Sequence, residues 1–305
     1  MTKQEILDTI ELRQSTLKTW LSCPLMYKYR HIDKLEPSFR YPGTIHGSAL
    51  HLVLSWLHEG QWKGDLRALY TKALNYQLYA SEEEHIPVRW KRDMEKEIEA
   101  LKRNAVEILE NYRSKEYNQD ALVLFSEVQF RVKILGYLFT GTIDQVRKNP
   151  DGSIELLDFK SSKMRPNRYA IPNDLQLTLY AYAIKFGELL MDNIWVKTNM
   201  LVDSVGIYFL RGHEIYKRKV PGKEIGDEKG SPFIRTKKTI QELRAFRHEL
   251  RAQLSAMIKP WYYPNTVSGA CSYCSYAEHC ISRNDTIPEK QADEAQLLLA
   301  ELEMT

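Results

Sequence analysis

The residues best suited to chemistry lie in one stretch, 141–163, whose alternating pattern predicts two strands joined by a tight turn. This stretch carries Asp144 and Asp158, and Lys160 follows the second aspartate by two positions. Successive side chains of a strand point to opposite faces, so Asp158 and Lys160 share one face while Phe159 points into the core. Carboxylates beside a lysine can bind a divalent ion and a phosphate, as phosphodiester cleavage requires.

The turn between these strands predicts how the two aspartates face each other. In the NPDG tetrapeptide, a type I turn with Gly152 as a left-handed bulge residue pairs Asn149 with Ser153. Counting outward from that pair places Asp144 opposite Asp158. Opposed carboxylates repel, so a cation between them would make a binding site, and hard carboxylate oxygens suit Mg²⁺ or Mn²⁺. The residues alone also allow an exposed hairpin with ordinary surface charges.

The surrounding pattern predicts an α/β protein. Strand alternation predicts an antiparallel meander over 122–134, 137–147 and 153–159, and a further strand at 205–210. Helical spacing and caps predict helices at 16–21 after a cap at Ser15, from about Gly47 to Gly60, throughout 62–117, and over 174–189, 239–258 and 289–303. We therefore expect a central sheet flanked by helices.

Composition restricts the class of protein. The 305 residues are 43% hydrophobic and 27% charged, which excludes wholesale disorder. The formal net charge is +3, and an acidic C-terminal segment leaves the rest mildly basic, as suits a polyanionic partner. The N-terminus has no apolar signal region, and no run approaches the roughly 18 apolar residues of a membrane span. We therefore expect a cytoplasmic protein.

The four cysteines form a second set of possible ligands. Cys271, Cys274 and Cys280 follow a C-x2-C-x5-C spacing, and Cys23 precedes a proline far upstream. In a reducing compartment such cysteines are more often metal ligands or free thiols than disulfides. Four thiolates can hold zinc or an iron–sulfur cluster, and ligand type does not separate the two. A buried free Cys23 beside an unrelated three-thiol loop is the alternative.

Further motifs flank the aspartates and the lysine. A GSALH segment at 47–51 precedes them, and a QLTLY segment at 176–180 follows them. Together with Asp144 and the DFK triplet at 158–160, these segments resemble the RecB-like branch of the PD-(D/E)XK nuclease superfamily. The resemblance implies a restriction-endonuclease-like α/β core with a mixed sheet. It also implies a metal-dependent deoxyribonuclease, an exonuclease on single-stranded DNA or DNA ends.

The resemblance assigns roles to individual residues. The metal ligands would be His51, Asp144, Asp158 and the Phe159 carbonyl, and the catalytic lysine would be Lys160. Gln176 and Tyr180, one helical turn apart, would support the site or contact substrate. An imidazole ligand favours Mn²⁺ over Mg²⁺. His46 and His58 lie near His51 and are not part of the motif, and Glu127 on the first strand is expected only to support the ligands.

The cysteine spacing resembles that of AddB-type and CRISPR-associated RecB-like iron–sulfur nucleases. That resemblance selects a 4Fe-4S cluster over zinc, as a structural clip that joins the N- and C-terminal segments and places 27–30 near the DNA. The expected segments are 1–60 with the cluster cysteine and metal-binding histidine, 61–120 as a helical insertion, 121–260 as the nuclease core, 261–285 as the C-terminal iron–sulfur segment, and 286–305 as an acidic tail helix.

Basic side chains close to the active strand predict DNA contacts. Lys163, Arg165 and Arg168 follow it directly and can meet phosphates that enter the site. A second basic set within 217–238, interleaved with aromatic residues, fits single-strand binding or a solvated loop. Recombination, repair or phage DNA processing is the expected context, with CRISPR spacer acquisition as an alternative. A non-catalytic DNA-binding scaffold with a structural metal clip is the competing class.

Overall fold

The computed structural model describes residues 12–61, 64–115, 121–162, 167, 169–211, 232–258, 262–267 and 269–282. Contacts divide the chain into two compact units. The larger comprises Met1–Lys18 and Phe39–Pro260, and the smaller comprises Thr19–Ser38 and Trp261–Thr305. None of the described helices is both long and apolar enough to cross a membrane.

A seven-stranded sheet forms the centre of the larger unit, as far as the chain is described. The strands are β1 (Leu122–Ile134), β2 (Tyr137–Lys148), β3 (Ile154–Lys160), β4 (Glu188–Met191), β5 (Ile194–Val196), β6 (Ser204–Phe209) and β7 (Phe233–Thr236). They lie in the order β5-β4-β1-β2-β3-β6-β7, in which only β3 and β6 run parallel. The prediction of a mixed sheet flanked by helices is confirmed.

The first three strands form the predicted antiparallel meander. Between β2 and β3, the Asn149 amide donates to the Ser153 carbonyl at 2.8 Å, and Gly152 has a φ of 87°. This left-handed conformation favours glycine, as the predicted bulge requires. Between β1 and β2, the two-residue turn at 135–136 has φ values of 57° and 92°, and it pairs Ile134 with Tyr137. These turns fix the registers of all three strands.

Eight α-helices are found in the described residues of the two units. They are α1 (Gln14–Ser22), α2 (Pro24–Tyr27), α3 (Pro42–Trp56), α4 (Leu66–Glu83), α5 (Met94–Lys115), α6 (Leu175–Phe186), α7 (Ile240–Ile258) and α8 (Ala277–Ser282). Short π-helical turns follow α2 and α3, at Lys28–Ile32 and Leu57–Gln61, and 3-10 turns lie at Ile171–Asn173 and Ala270–Tyr273.

Several predicted boundaries were wrong. Helix α3 begins at Pro42 rather than near Gly47, because a proline is well tolerated in the first helical turn. Helix α1 begins before Ser15, so this serine is not its cap. The segment 62–117, predicted to be helical throughout, contains two helices, α4 and α5, with a non-helical connection between them. The helix predicted over 174–189 ends at Phe186, and the next residues form β4. The tail helix at 289–303 lies outside the described residues.

Helices cover both faces of the sheet. On one face, α3, α4 and α5 share a hydrophobic core with buried residues of the strands, among them Leu157, Phe159 and Tyr208. Residue 158 points the other way, and its carboxylate accepts a hydrogen bond from Gln176 on α6. The alternation of β3 therefore directs Phe159 into the core and Asp158 towards α6, as the sequence predicts.

A buried ion-pair network ties four neighbouring strands together at the opposite end of β3. The Glu155 carboxylate is 1% exposed and lies 2.7 Å from Arg147 Nη2. It also accepts from Arg235 Nε at 2.8 Å and from Ser204 Oγ at 3.0 Å. Because Arg147 is 4% exposed, its charge depends on this carboxylate for compensation.

Replacing Glu155 with alanine is expected to lower the free energy of unfolding by about 3–5 kcal/mol, since it removes the carboxylate that compensates the buried Arg147 charge. Urea unfolding followed by circular dichroism measures the effect. Glu84→Ala, which opens the exposed Arg40–Glu84 pair, is the matched control and should cost at most about 1 kcal/mol. Equal losses of unfolding free energy in the two variants would contradict the conclusion that Glu155 stabilises the sheet through a buried ion pair.

The smaller unit joins an N-terminal segment to a C-terminal one. The Leu25 amide donates to the Tyr263 carbonyl at 3.1 Å, and the Ser38 amide donates to the Ser275 carbonyl at 2.9 Å. The Tyr276 hydroxyl donates to the Leu35 carbonyl. The apolar centre of the smaller unit is formed by three buried residues, Leu25, Tyr29 and Tyr276. Of the segment 27–30, which the resemblance implies lies near the DNA, Tyr27 and Tyr29 are buried, so neither ring is available for base stacking.

Candidate active site and metal centre

The β2–β3 register brings the two aspartates together. Gln145 lies opposite Leu157, so the next step along both strands places Asp144 beside Asp158, as predicted. Asp144 Oδ2 accepts a 2.7 Å hydrogen bond from the Phe159 amide, which fixes the carboxylate against β3. Both aspartates are buried, at 6% and 1% exposed. Two carboxylates in this position are unfavourable unless a cation compensates them.

A third carboxylate, that of Glu127, extends the row onto β1. The pairs Ser126–Gln145 and Val128–Ile143 flank it, so Glu127 lies opposite Asp144. Its φ of 47° is left-handed, an uncommon backbone conformation for a glutamate that costs of order 1–3 kcal/mol and recurs at functional sites. Three adjacent strands thus each contribute one acidic residue at the same level of the sheet.

Helix α3 brings His51 to these carboxylates. Its Nδ1 lies 3.4 Å from Glu127 Oε1 and 3.5 Å from Asp144 Oδ2, and its Nε2 lies 3.0 Å from the Phe159 carbonyl oxygen. The ligand atoms of His51, Glu127 and Asp144 all lie within 4.8 Å of one another. Among the described residues, no other set of three or more His, Cys, Asp or Glu side chains meets this criterion.

The two neighbouring histidines are placed differently. His46 Nδ1 lies 2.6 Å from the Tyr70 hydroxyl, and His58 Nε2 lies 2.9 Å from the Tyr112 hydroxyl. Burial, reinforced by nearby arginines, lowers the pKa of both histidines to about 4. They are neutral members of the interior, whereas His51 faces the carboxylates.

The buried carboxylates of the site favour the binding of a cation. Burial, together with the charge of Asp144, raises the pKa of Asp158 to about 7. Burial also raises the pKa of Glu127. Burial alone would lower the pKa of His51, but Asp144 and Glu127 raise it well above its usual value, so the imidazole gains a proton. A metal ion can replace this proton, because metal binding and proton release are linked.

Lys160 and Gln176 lie on the other side of Asp158. Lys160 Nζ is 2.7 Å from Asp158 Oδ2 and donates to Gln176 Oε1 at 3.2 Å. The Gln176 amide donates to Asp158 Oδ1 at 2.7 Å and to the Tyr180 hydroxyl at 2.8 Å. Burial would lower the pKa of Lys160, but Asp158 raises it, so the side chain remains an ammonium ion. One amide therefore links the lysine, the aspartate and the tyrosine.

Packing on β1 and β2 supports Tyr180. The ring of Phe130 contacts the Tyr180 ring edge to face, with centroids 5.6 Å apart. Phe130 pairs across the strands with Gly141, where a Cβ atom would lie 2.7 Å from the Phe130 ring. Glycine is therefore needed at 141 to leave space for the ring beneath Tyr180. At the start of α6, Asp174 caps the helix by accepting from the Leu177 amide at 2.9 Å.

The predicted site residues differ in where the structure places them. His51 and Asp144 share the group of ligand atoms, and the Phe159 carbonyl faces His51. Asp158 is adjacent, but it accepts a hydrogen bond from Gln176 and forms an ion pair with Lys160. The predicted DNA contacts Lys163, Arg165 and Arg168 lie outside the described residues.

The sequence predicts only a supporting role for Glu127, whereas the structure places its carboxylate with the ligand atoms of His51 and Asp144. The signal was present, because the short turn at 135–136 pairs Ile134 with Tyr137 and counting back from that pair reaches Glu127 opposite Asp144. Three members of the second basic set are described. Arg235 bonds with Glu155, Lys238 is buried and donates to the Pro172 carbonyl, and Lys237 is exposed.

All four cysteines lie in the smaller unit. Cys23, Cys274 and Cys280 pack against the Leu25–Tyr29–Tyr276 centre, and Cys271 is exposed. Burial raises the pKa of Cys274, and the other three cysteines add to that rise, so all four lie within electrostatic range. The Asn265 amide points to the Cys23 sulfur at 3.5 Å.

Comparisons with known proteins place the chain in a family. A sequence model of the PD-(D/E)XK nuclease superfamily matches residues 11–281. A search of the curated proteins finds no match.

Among solved structures, the crystal structure of SSO0001 is 13% identical, covers 87% of this chain and 93% of its own, and has a TM-score of 0.33. A protein from Eubacterium rectale, described as a candidate exonuclease, is 11% identical. The match covers 84% of this chain and 82% of that protein, and it has a TM-score of 0.42. Both scores are too low to carry an argument. The family match includes the carboxylates, His51, Lys160 and all four cysteines, and the chain belongs to the PD-(D/E)XK nuclease superfamily.

Proposed function

We propose that the protein is a metal-dependent deoxyribonuclease that hydrolyses DNA from ends or along single strands. The observation that carries the proposal is the convergence of His51, Glu127 and Asp144 beside the Asp158–Lys160 pair. The match to the nuclease superfamily supports it. Exonucleolytic action and a role in recombination, repair or phage DNA processing are parts of the proposal, with CRISPR spacer acquisition as the alternative context.

The donor set suits a divalent metal. His51, Glu127 and Asp144 would hold the ion, with Asp158 and the Phe159 carbonyl as further oxygen donors. Asp158 Oδ2 supports this role, because this buried atom makes no hydrogen bond of good geometry, although Lys160 Nζ is near. Hard oxygens suit Mg²⁺ and Mn²⁺, and the imidazole favours Mn²⁺. When bound, the ion supplies Lewis acidity and lowers the pKa of a water ligand.

The protein side chains supply orientation and charge. The Lys160 ammonium can neutralise the scissile phosphate or orient the attacking water, and it is worth most where water is excluded. Gln176 holds Lys160 and Asp158 at fixed separation through its two hydrogen bonds. Tyr180 holds Gln176 in turn. We assign Gln176 and Tyr180 to positioning, since their polar atoms are engaged with each other and with the pair.

The competing proposal is a DNA-binding scaffold without catalytic activity. A scaffold gains nothing from three adjacent carboxylates on neighbouring strands, or from the left-handed backbone at Glu127. Both features lower stability. They are explained by metal binding, so we favour the nuclease.

Mn²⁺-dependent digestion of end-labelled linear DNA tests the proposal. Single- and double-stranded substrates are expected to be cut with Mn²⁺ and left intact with EDTA. Lys160→Ala should slow cleavage by about 10²–10³-fold, the usual cost of removing one transition-state contact. Lys133→Ala, at an exposed lysine of β1, is the matched control and should cut normally.

Circular single-stranded DNA separates the modes of attack. An exonuclease leaves it intact and degrades the linear form. Absence of cleavage by the wild-type protein under all these conditions, or equal rates for wild type and Lys160→Ala, would refute the nuclease proposal. Cleavage of the circle would refute only the exonuclease part.

We further propose that the four cysteines bind a 4Fe-4S cluster that holds the smaller unit together. Four thiolates can hold either zinc or a cluster, and the resemblance of the C-x2-C-x5-C spacing to that of iron–sulfur nucleases favours the cluster. Cys23, Cys271 and Cys280 each act electrostatically on Cys274, so the four lie in one region. Among the described residues, no three of the cysteine sulfurs lie within 4.8 Å of one another.

A further inference from the structure

One flank of α7 carries a row of basic side chains. Arg244, Arg247, His248 and Arg251 are all exposed. Their spacing of three, four and seven residues places them on one side of the helix. The opposite side of α7 is apolar, and its buried residues Leu243, Phe246, Leu250 and Leu254 hold the helix against the protein. We call the four basic residues the α7 basic flank.

The α7 basic flank has no acidic partner in the part of the chain that the structure describes. The other exposed charges often do, as in the Arg67–Glu99–Lys102 cluster. No carboxylate of a described residue lies within 4 Å of Arg244, Arg247 or Arg251. The two glutamates of α7, Glu242 and Glu249, act electrostatically on Lys238. The charge of the flank is therefore available to a ligand from outside the chain.

Helix α7 lies along the helix that carries part of the active site. Lys238, just before α7, donates to the carbonyl of Pro172, just before α6. Farther along, the rings of Phe246 on α7 and Tyr182 on α6 lie 6.1 Å apart. The two helices thus run side by side from their N-terminal ends, and the N-terminal end of α6 holds Gln176. From that end, the α7 basic flank extends along the helix away from Gln176.

An exposed aromatic ring lies in the same region. Phe186, the last residue of α6, is 44% exposed, and its ring contacts Tyr182 with centroids 4.7 Å apart. Burial raises the pKa of Tyr182, and the charge of Arg247 opposes this rise, so Arg247 is close to Tyr182. Arginines beside an exposed ring are the combination that binds single strands, through phosphate contacts and base stacking.

We propose that the α7 basic flank and Phe186 bind a single strand of DNA whose end lies in the active site. Arg244 and Arg251 are separated by about 10 Å along the helix. That length matches about three nucleotides at a rise of about 3.4 Å. A duplex keeps its bases paired and stacked, so only a single strand can offer a base to Phe186. The proposal rests on the nuclease function and names the surface that guides its substrate.

A triple variant with Arg244→Gln, Arg247→Gln and Arg251→Gln tests the surface. Anisotropy of a labelled single-stranded 20-mer, measured with EDTA, reports binding without cleavage. We expect the Kd to rise at least tenfold and the slope of log K against log salt to fall by about 2, as three lost phosphate contacts require. Phe186→Ala should weaken single-strand binding about tenfold and leave duplex binding unchanged.

The control is a triple variant with the same loss of charge on other elements: Lys91→Gln, Lys96→Gln and Arg103→Gln, all exposed and located in α5 or just before it. It should bind DNA as the wild type does. Equal weakening in the two triple variants would reduce the effect to net charge and overturn the proposal. An unchanged Kd and salt slope in the Arg→Gln variant would overturn it directly.

A substrate with a single phosphodiester separates this proposal from the nuclease function. The p-nitrophenyl ester of thymidine 5′-monophosphate is too short to reach the flank, so the Arg→Gln variant should cleave it at the wild-type rate. Loss of that activity would mean that the flank acts on catalysis, which overturns a guiding role. Failure of the wild type to cleave any substrate would refute the nuclease function, and the binding measurements would still decide whether the flank binds DNA.

Discussion

Replacing Asp144 with asparagine is expected to reduce Mn²⁺-dependent cleavage by at least about 10³-fold and to abolish stabilisation of the protein by Mn²⁺. Asp144 is the residue that links the site, since its Oδ2 lies near His51 Nδ1 and accepts from the Phe159 amide. An asparagine oxygen can still accept the amide hydrogen bond, so the fold is kept. The lost charge, however, removes a proposed metal ligand and, with it, a source of transition-state stabilisation.

Thermal unfolding with and without metal provides the second measurement. At a metal concentration 100 times Kd, a bound ion stabilises the folded state by about 2.7 kcal/mol. We expect this increment in the wild type and its absence in Asp144→Asn, while the metal-free stabilities differ by less than about 1 kcal/mol. Relief of carboxylate repulsion offsets the lost contact with His51. Thus the variant separates a functional site from a structural one.

Asp192→Asn is the matched control for Asp144→Asn. It makes the same substitution at an exposed turn position whose φ of 49° asparagine tolerates well. Normal cleavage and a normal Mn²⁺ shift are expected. An Asp144→Asn protein that gains as much stability from Mn²⁺ as the wild type does would exclude Asp144 as a metal ligand.

Local rules were sufficient to predict the centre of the sheet. The NPDG turn specifies a register with one residue in a left-handed conformation, and that register alone brings Asp144 to Asp158. Alternation then assigns Phe159 and Lys160 to their faces. These are short-range effects, which the order of residues contains in full. His51 could be predicted only from its motif, because its position depends on the packing of α3 against the sheet, which involves contacts distant in sequence.

The short strands could not be predicted in the same way. Strands β4 and β5 contain four and three residues, too few for alternation to appear, and β7 contains four. Their pairing with β1 and β6 is a tertiary effect. The left-handed backbone of Glu127 is likewise invisible in the sequence, since glutamate has no local preference for it. The α7 basic flank is partly visible as helical spacing, but only the structure shows that no carboxylate of the described residues pairs with it.

Replacing Cys274 with serine is expected to remove the iron from the protein and to unfold the smaller unit. Below about 70–80 residues, a hydrophobic core alone rarely supplies more than about 3–5 kcal/mol. The apolar centre of this unit has three buried residues, and its two segments come from distant parts of the chain. The proposed cluster, bound by Cys23 and the C-terminal cysteines, would add a further link.

Metal analysis and local protection measure the two effects. Protein purified without oxygen should contain iron and inorganic sulfide in equal amounts, and Cys23→Ser and Cys274→Ser should contain neither. In the cysteine variants, hydrogen exchange should become fast in 19–38 and 262–282. The strands of the larger unit should keep their protection, because each unit is held together mainly by its own internal contacts. Ser272→Ala, in the same loop and exposed, should leave iron and exchange unchanged. A colourless, zinc-loaded wild type would exclude the iron–sulfur cluster, and retention of metal by both cysteine variants would exclude these cysteines as ligands.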